Sequence, residues 1–171
     1  MPPVALIMKE PEYIRQTKAN GCWYACLKML LQWHAGSRTI SDPAVKSKVS
    51  HFKPRSYTSI DVTFVHTNHL YVYPQRFFKD LNDIEGFLRR NGPFMGGGAV
   101  GKVFGTFGPR SFGHAILIYG VTPTGSVLHH DPMAGPHMTI SFPSFLKKQD
   151  GEVIVRSLNP RIQEAAMGSS L

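Results

Sequence analysis

Cysteine is scarce in this chain: only Cys22 and Cys26 occur among 171 residues. Four positions apart on a helix, they share one face. A disulfide framework uses more cysteines, set far apart in sequence, so stapling is excluded as the basis of stability. Acidic residues are also few, 11 against 19 Lys and Arg, for a net charge of +8 with His neutral. Such a balance favours acidic partners. The basic residues are nevertheless scattered (Lys46, Lys48, Lys53, Arg55, Arg89, Arg90, Lys147, Lys148). No nucleic-acid motif accompanies them, so nucleic acid is not an expected partner. No apolar run reaches the ~18 residues of a membrane span. The apolar opening Met1–Met8 lacks a basic n-region and does not read as a secretory signal. The expected location is the cytoplasm, or a target cell reached by a route that needs no cleavable signal. Repeats and low-complexity tracts are absent.

What is present suits one domain over residues 1–171, with a core of about 12–157 and tails at 1–11 and 158–171. Residues 9–20 read as irregular. From Cys22 to Trp33 the apolar positions Cys22, Cys26, Met29, Leu30 and Trp33 recur at helical spacing, with Asn20 as N-cap and Gly36 as the stop. Trp23, Leu27 and Leu31 widen the apolar sector, so Trp23 and Trp33 read as core. A short helix is expected from Ser41, with Asp42–Pro43 at its start. Val62–Val65 and Leu70–Tyr73 read as strands. Residues 80–91 form a second helical pattern, with Asn82 as N-cap and Arg89 and Arg90 in the last turn. Phe94–Met95 begins a strand that runs into a glycine-rich stretch, Gly96–Gly113, read as a mobile loop, with Gly96–Gly98 fitting either a flap or strand-bulge glycines. His114–Val121 and Ser126–Asp131 are strands joined by the turn at Pro123–Gly125. Met138–Phe142 and Glu152–Ser157 are further strands, with a short helix near Pro143–Lys148 between them. Helices first and an antiparallel meander after them make an α+β fold.

Cleaving an amide with a thiol requires help in ionising it, because a free cysteine has a pKa of about 8.5. It also requires a base that later returns a proton to the leaving amine, and donors aimed at the oxyanion. Cys22 falls in the first turn of its helix, where unpaired N–H groups favour thiolate. His114 opens a strand after the glycine-rich stretch, and Asp131 ends the next strand, close to opposite it. That placement suits Cys22 as nucleophile, His114 as general base and Asp131 as the group that orients the imidazole. Gln16, six residues before Cys22, is placed to offer one oxyanion donor, and the Cys22 N–H another. Cys26, one turn deeper, reads as core. His129 and His130 beside Asp131 hint at metal ligands, but neighbours on a strand face opposite sides. No metal site and no cofactor are expected.

These motifs resemble a known clan. Gln16, five residues and Cys22–Trp23 repeat the papain pattern of an oxyanion Gln ahead of Cys–Trp. The fuller likeness is to the C39-like branch, the bacterial peptidases that trim leader peptides after Gly-Gly. The shared features are Cys22-Trp-Tyr-Ala-Cys26-Leu-Lys-Met-Leu, Asn91–Gly92–Pro93–Phe94, His114–Val121, Asp131-Pro-Met-Ala-Gly135 and Ser141–Phe145, in that order over most of residues 12–157. The resemblance implies a papain-like fold, the triad Cys22–His114–Asp131, the oxyanion residue Gln16 and a preference for Gly before the cut. Trp23 stands where many C39 members have Gly, which is closer to papain and to bacterial papain-like effector proteases. C39 peptidases are usually fused to a transporter, and this chain has no membrane span. The expectation is therefore a standalone effector or toxin-type protease acting on a protein or peptide substrate. A toxin would imply an immunity protein or other inhibitor as partner. The same triad can deamidate or transamidate glutamine, and a papain-like module without chemistry would only bind peptides.

Overall fold

The computed structural model describes residues 6–17, 21–36, 69–73, 76–99, 113–149 and 153–156. The expected helix from Ser41, the strand Val62–Val65, most of the glycine-rich stretch and the tail 158–171 lie outside the described residues.

Among the described residues, a seven-stranded antiparallel sheet carries the fold. Its strands are β1 (Leu6–Ile7), β2 (Leu70–Tyr73), β3 (Phe94–Ala99), β4 (Gly113–Val121), β5 (Ser126–Asp131), β6 (Gly135–Ser141) and β7 (Val153–Arg156). The order is β2-β7-β3-β4-β5-β6, with β1 also pairing β4. Strands β3 to β6 are the expected meander, and β7 returns to lie between β2 and β3. The helices are α1 (Cys22–Ala35), α2 (Leu81–Asn91) and α3 (Phe142–Lys148).

Period-2 alternation along β4 divides the core. Ala115 and Leu117 face one layer, with Met95, Ile154 and the buried residues Cys22, Cys26, Leu27, Met29 and Leu30 of α1. Ile116 and Ile118 face the other, with Phe94, Val153, Ile84, Phe87 and Leu88 of α2, and Phe145 of α3. β4 is thus covered on both faces, which is why His114–Val121 reads as a continuous apolar run rather than as an alternating one.

Several local expectations are corrected. Gly21, not Asn20, occupies the N-cap of α1, and no side chain caps it. Asp80, not Asn82, caps α2, its carboxylate accepting the Asp83 N–H at 2.8 Å. A carboxylate one residue ahead of the helix reaches N3, whereas Asn82 lies already inside the first turn. Of the two readings open for Gly96–Gly98, the strand holds: they belong to β3, paired with Ile116, Ala115 and His114 of β4. The fourth meander strand starts at Gly135 and stops at Ser141, so Phe142 opens α3 instead. Finally, Leu6–Ile7, expected in a tail, pairs with Val121 and Gly120. Position 120 needs glycine for this, because a Cβ there would stand 2.8 Å from the Leu6 carbonyl oxygen.

Candidate active site

Two elements deliver the candidate reacting groups. Cys22 is the first residue of α1, where first-turn N–H groups have no partner within the helix, and the Trp23 N–H turns to the thiol. His114 is the second residue of β4. The Ala115 N–H donates to Cys22 Sγ at 3.5 Å, which pins the helix start to the strand start. Asp131 ends β5, where Leu117 of β4 pairs with His130. From there the His114 Nε2 lies 2.8 Å from Asp131 Oδ1. Nε2 being committed to the carboxylate, Nδ1 is left for the hydrogen bond between His114 and the Cys22 thiol. Cys22, His114 and Asp131 therefore form one chain of contacts, and all three are buried.

The electrostatics follow from that chain. Burial alone would raise the Cys22 pKa. Hydrogen bonds from His114 and Ala115, the His114 charge and the Trp23 N–H outweigh it, and the net shift is downward. Burial would lower the His114 pKa. The bonds to Asp131 and Cys22 reverse this and hold the ring at about 9. Asp131 resists burial in the same way: the bond and charge of His114 keep its carboxyl below the usual carboxylate range, with the Ala134 and Met133 N–H groups helping. Those amides donate to Oδ1 at 3.0 and 2.8 Å. The three groups favour a thiolate beside an imidazolium.

Gln16 is half-buried on the segment that passes the end of β5, and its N–H donates to the Pro132 carbonyl at 3.0 Å. Tyr13, three residues earlier, donates its hydroxyl to the carbonyls of Asp131 and Pro132 at 3.2 and 3.3 Å. The segment bearing Gln16 is thus tied to the residue pair that carries the carboxylate. Sequence reading passed over Tyr13, because nothing in an irregular run marks one tyrosine as a strap. It also passed over the Ala115 N–H, since a backbone donor has no signature.

Cys26 is fully buried, and burial together with the Cys22 charge drives its pKa well up, so it stays a neutral thiol. His129 and His130 point to opposite faces, as the strand requires. Among the described residues no group of His, Cys, Asp or Glu is arranged to hold a metal ion. Trp23 is only partly buried, packed against the α1 side of the core.

Residues 7–150 match the family model described as papain-like cysteine protease AvrRpt2. The chain belongs to that family. It is a papain-like cysteine protease with an α+β fold. The solved structures it resembles agree on the fold. A C39-like peptidase from Bacillus anthracis aligns with a TM-score of 0.60 at 12% identity, covering 91% of this protease and 98% of that chain. A double-glycine-motif protease from an AMS/PCAT transporter, solved with its leader peptide, gives 0.55 at 13%, covering 91% and 100%. The peptidase domain of Streptococcus ComA, a bifunctional ABC transporter, gives 0.53 at 19%, covering 84% and 96%. No curated protein matches the protease by sequence.

Proposed function

We propose that this protease cuts peptide bonds through a Cys22 thioester. The Cys22 thiolate attacks the scissile carbonyl carbon, and the carbonyl oxygen becomes an oxyanion held by the Gln16 side-chain amide and the Cys22 N–H. As the C–N bond breaks, the His114 imidazolium gives its proton to the leaving amine. The neutral ring then takes a proton from water, whose oxygen attacks the thioester and releases the acid and Cys22. Asp131 keeps the ring turned with Nδ1 toward sulfur. The observation that carries this reading is the single ring of His114, hydrogen-bonded to the Cys22 thiol on one side and 2.8 Å from Asp131 Oδ1 on the other.

The substrate is a protein or peptide with a small residue, Gly foremost, before the cut. Likeness to a double-glycine protease solved with its leader peptide supports this preference. We further propose that the protease acts as an effector or toxin, in the cytoplasm or in a target cell, with an immunity protein that blocks the cleft. The resemblance of Gln16 and Cys22–Trp23 to bacterial papain-like effector proteases motivates that role.

Terminal proteomics tests the reading. A bacterial lysate is treated with wild type, Cys22→Ala or His114→Ala. New N-termini seen only with wild type, preceded by Gly, are expected. New termini without Gly before them would overturn the preference. No new termini, with Gln-to-Glu mass shifts in the same spectra, would replace hydrolysis of peptides by deamidation. Cells that grow normally while expressing folded wild type would count against a toxin.

A further inference from the structure

Every ring nitrogen of His130 is committed to backbone. The residue is fully buried on β5. Its Nε2 lies 2.8 Å from the Pro11 carbonyl oxygen, and its Nδ1 accepts the His137 N–H at 3.3 Å. Only the neutral ring with its hydrogen on Nε2 satisfies both. The ring thereby joins the N-terminal segment, β5 and β6. Tyr13 packs edge-on at 5.7 Å between centroids, and Tyr119 lies over it at 4.7 Å.

Pro11 has no N–H, so it can be held only by a donor to its carbonyl, and His130 is that donor. At the other end of the same segment Gln16 is held by the Pro132 carbonyl, and Tyr13 by Asp131 and Pro132 between them. The path of residues 11–16 is therefore fixed at both ends by the residues flanking Asp131.

We propose that His130 is a positioning residue for proteolysis: as a neutral clamp on Pro11 it sets where Gln16 presents its amide. This rests on the reading of Gln16 as an oxyanion donor. His130 touches no reacting atom and acts only through the segment it holds. The titratable groups around it are Glu10, His137, Tyr13 and Tyr119, with Asp131 next along the strand. Glu10 Oε1 lies 3.5 Å from His130 Nε2 and 2.6 Å from His137 Nδ1. Burial pushes the His130 pKa down against the pull of the Pro11 carbonyl and Glu10, which agrees with a neutral ring.

The test pairs His130→Leu, which removes both bonds, with His130→Gln, whose planar amide keeps an acceptor and a donor either side of one carbon, as Nδ1 and Nε2 flank Cε1. His130→Leu is expected to lower kcat by about 100-fold, the scale of a lost oxyanion donor. KM should stay within about twofold, as for an interaction made in the transition state. His130→Gln should recover most of the loss. Alkylation of Cys22 by iodoacetamide, which forms no oxyanion, should keep its pH profile in both variants. In a Gln16→Ala background His130→Leu should add nothing. A further full loss in that background, or a displaced alkylation profile, would mean general damage and overturn the proposal. If Gln16→Ala is costly and His130→Leu harmless, the clamp fails alone. If Gln16→Ala leaves kcat intact, the oxyanion reading fails and the clamp with it. Nitrogen-15 NMR of the wild-type ring at pH 6 to 7 needs no variant to fold. The neutral Nε2–H tautomer is expected, and an imidazolium or Nδ1–H form would overturn the proposal.

Discussion

The amide of Ala115 donates to the sulfur of Cys22 across 93 positions of sequence. This bond fixes the first turn of α1 against the first residues of β4, so that His114, the neighbour of Ala115, meets the same thiol. The proposed nucleophile and base are brought together by one contact between a helix end and a strand end.

That contact makes the two cysteines chemically unequal. Cys22 has its pKa lowered and Cys26 has its pKa raised well above the ordinary value. Iodoacetamide is expected to label Cys22 alone in the native protein and Cys26 only after denaturation. Mass spectrometry of the labelled peptide checks this. Labelling of Cys26 at a comparable native rate would contradict the burial of its thiol.

The pH–rate profile follows from the same pair. The His114 ring holds its proton up to about 9. The Cys22 thiol loses its proton below its ordinary value. Thiolate and imidazolium coexist between these limits, so kcat/KM should rise as Cys22 ionises and fall as pH passes through about 9. Asp131→Asn removes the charge that supports the imidazolium, and the alkaline limb should move to lower pH. Asp131→Ala should lower kcat further than Asp131→Asn, because Asn keeps an acceptor for the ring. An alkaline limb unmoved in Asp131→Asn would separate the carboxylate from the ring's titration.

Tyr13→Phe deletes the hydroxyl that reaches the carbonyls of Asp131 and Pro132. Loss of such a bond costs about 0.5–1.5 kcal/mol. Denaturant unfolding should show a midpoint lowered with little change in slope. A variant as stable as wild type would show that the segment is held without this strap.

Gly92→Ala should be more damaging. Gly92 closes α2 at φ +76°, and a Cβ there would meet Trp33 Cζ3 at 2.7 Å. Backbone in this glycine-only region costs about 1–3 kcal/mol for other residues, before the clash with the indole is counted. A thermal melt of Gly92→Ala against wild type reads the loss. An unchanged Tm would show that Trp33 yields freely.

Much of this protease was legible in its sequence, for physical reasons that differ between elements. The helix from Cys22 and the strand from His114 were readable because apolar spacing reports which face is buried, and burial dominates folding. The caps were misread because Asn, Asp and Gly all suit a helix start, and a shift of two residues changes which group reaches the free amides. Gly96–Gly98 stood open between flap and strand because glycine disfavours strands; pairing of all three with β4, and of Gly96 with β7 as well, overrides that preference. Leu6–Ile7 is too short a run to announce a strand, and only the close approach at Gly120 gives it a partner.

By itself the sequence determined the chemistry on offer: one thiol at a helix start, one imidazole after glycine, one carboxylate before proline. Local forces act within a few residues, so composition and periodicity report them directly. Tertiary structure alone decided which atoms meet. It put Nε2 of His114 against Asp131, the Ala115 amide on the Cys22 sulfur, and Tyr13 and His130 on the segment that bears Gln16. The first joins positions 17 residues apart and the others positions 93 to 119 apart, and all depend on strand register and backbone donors that leave no mark in any short stretch of sequence.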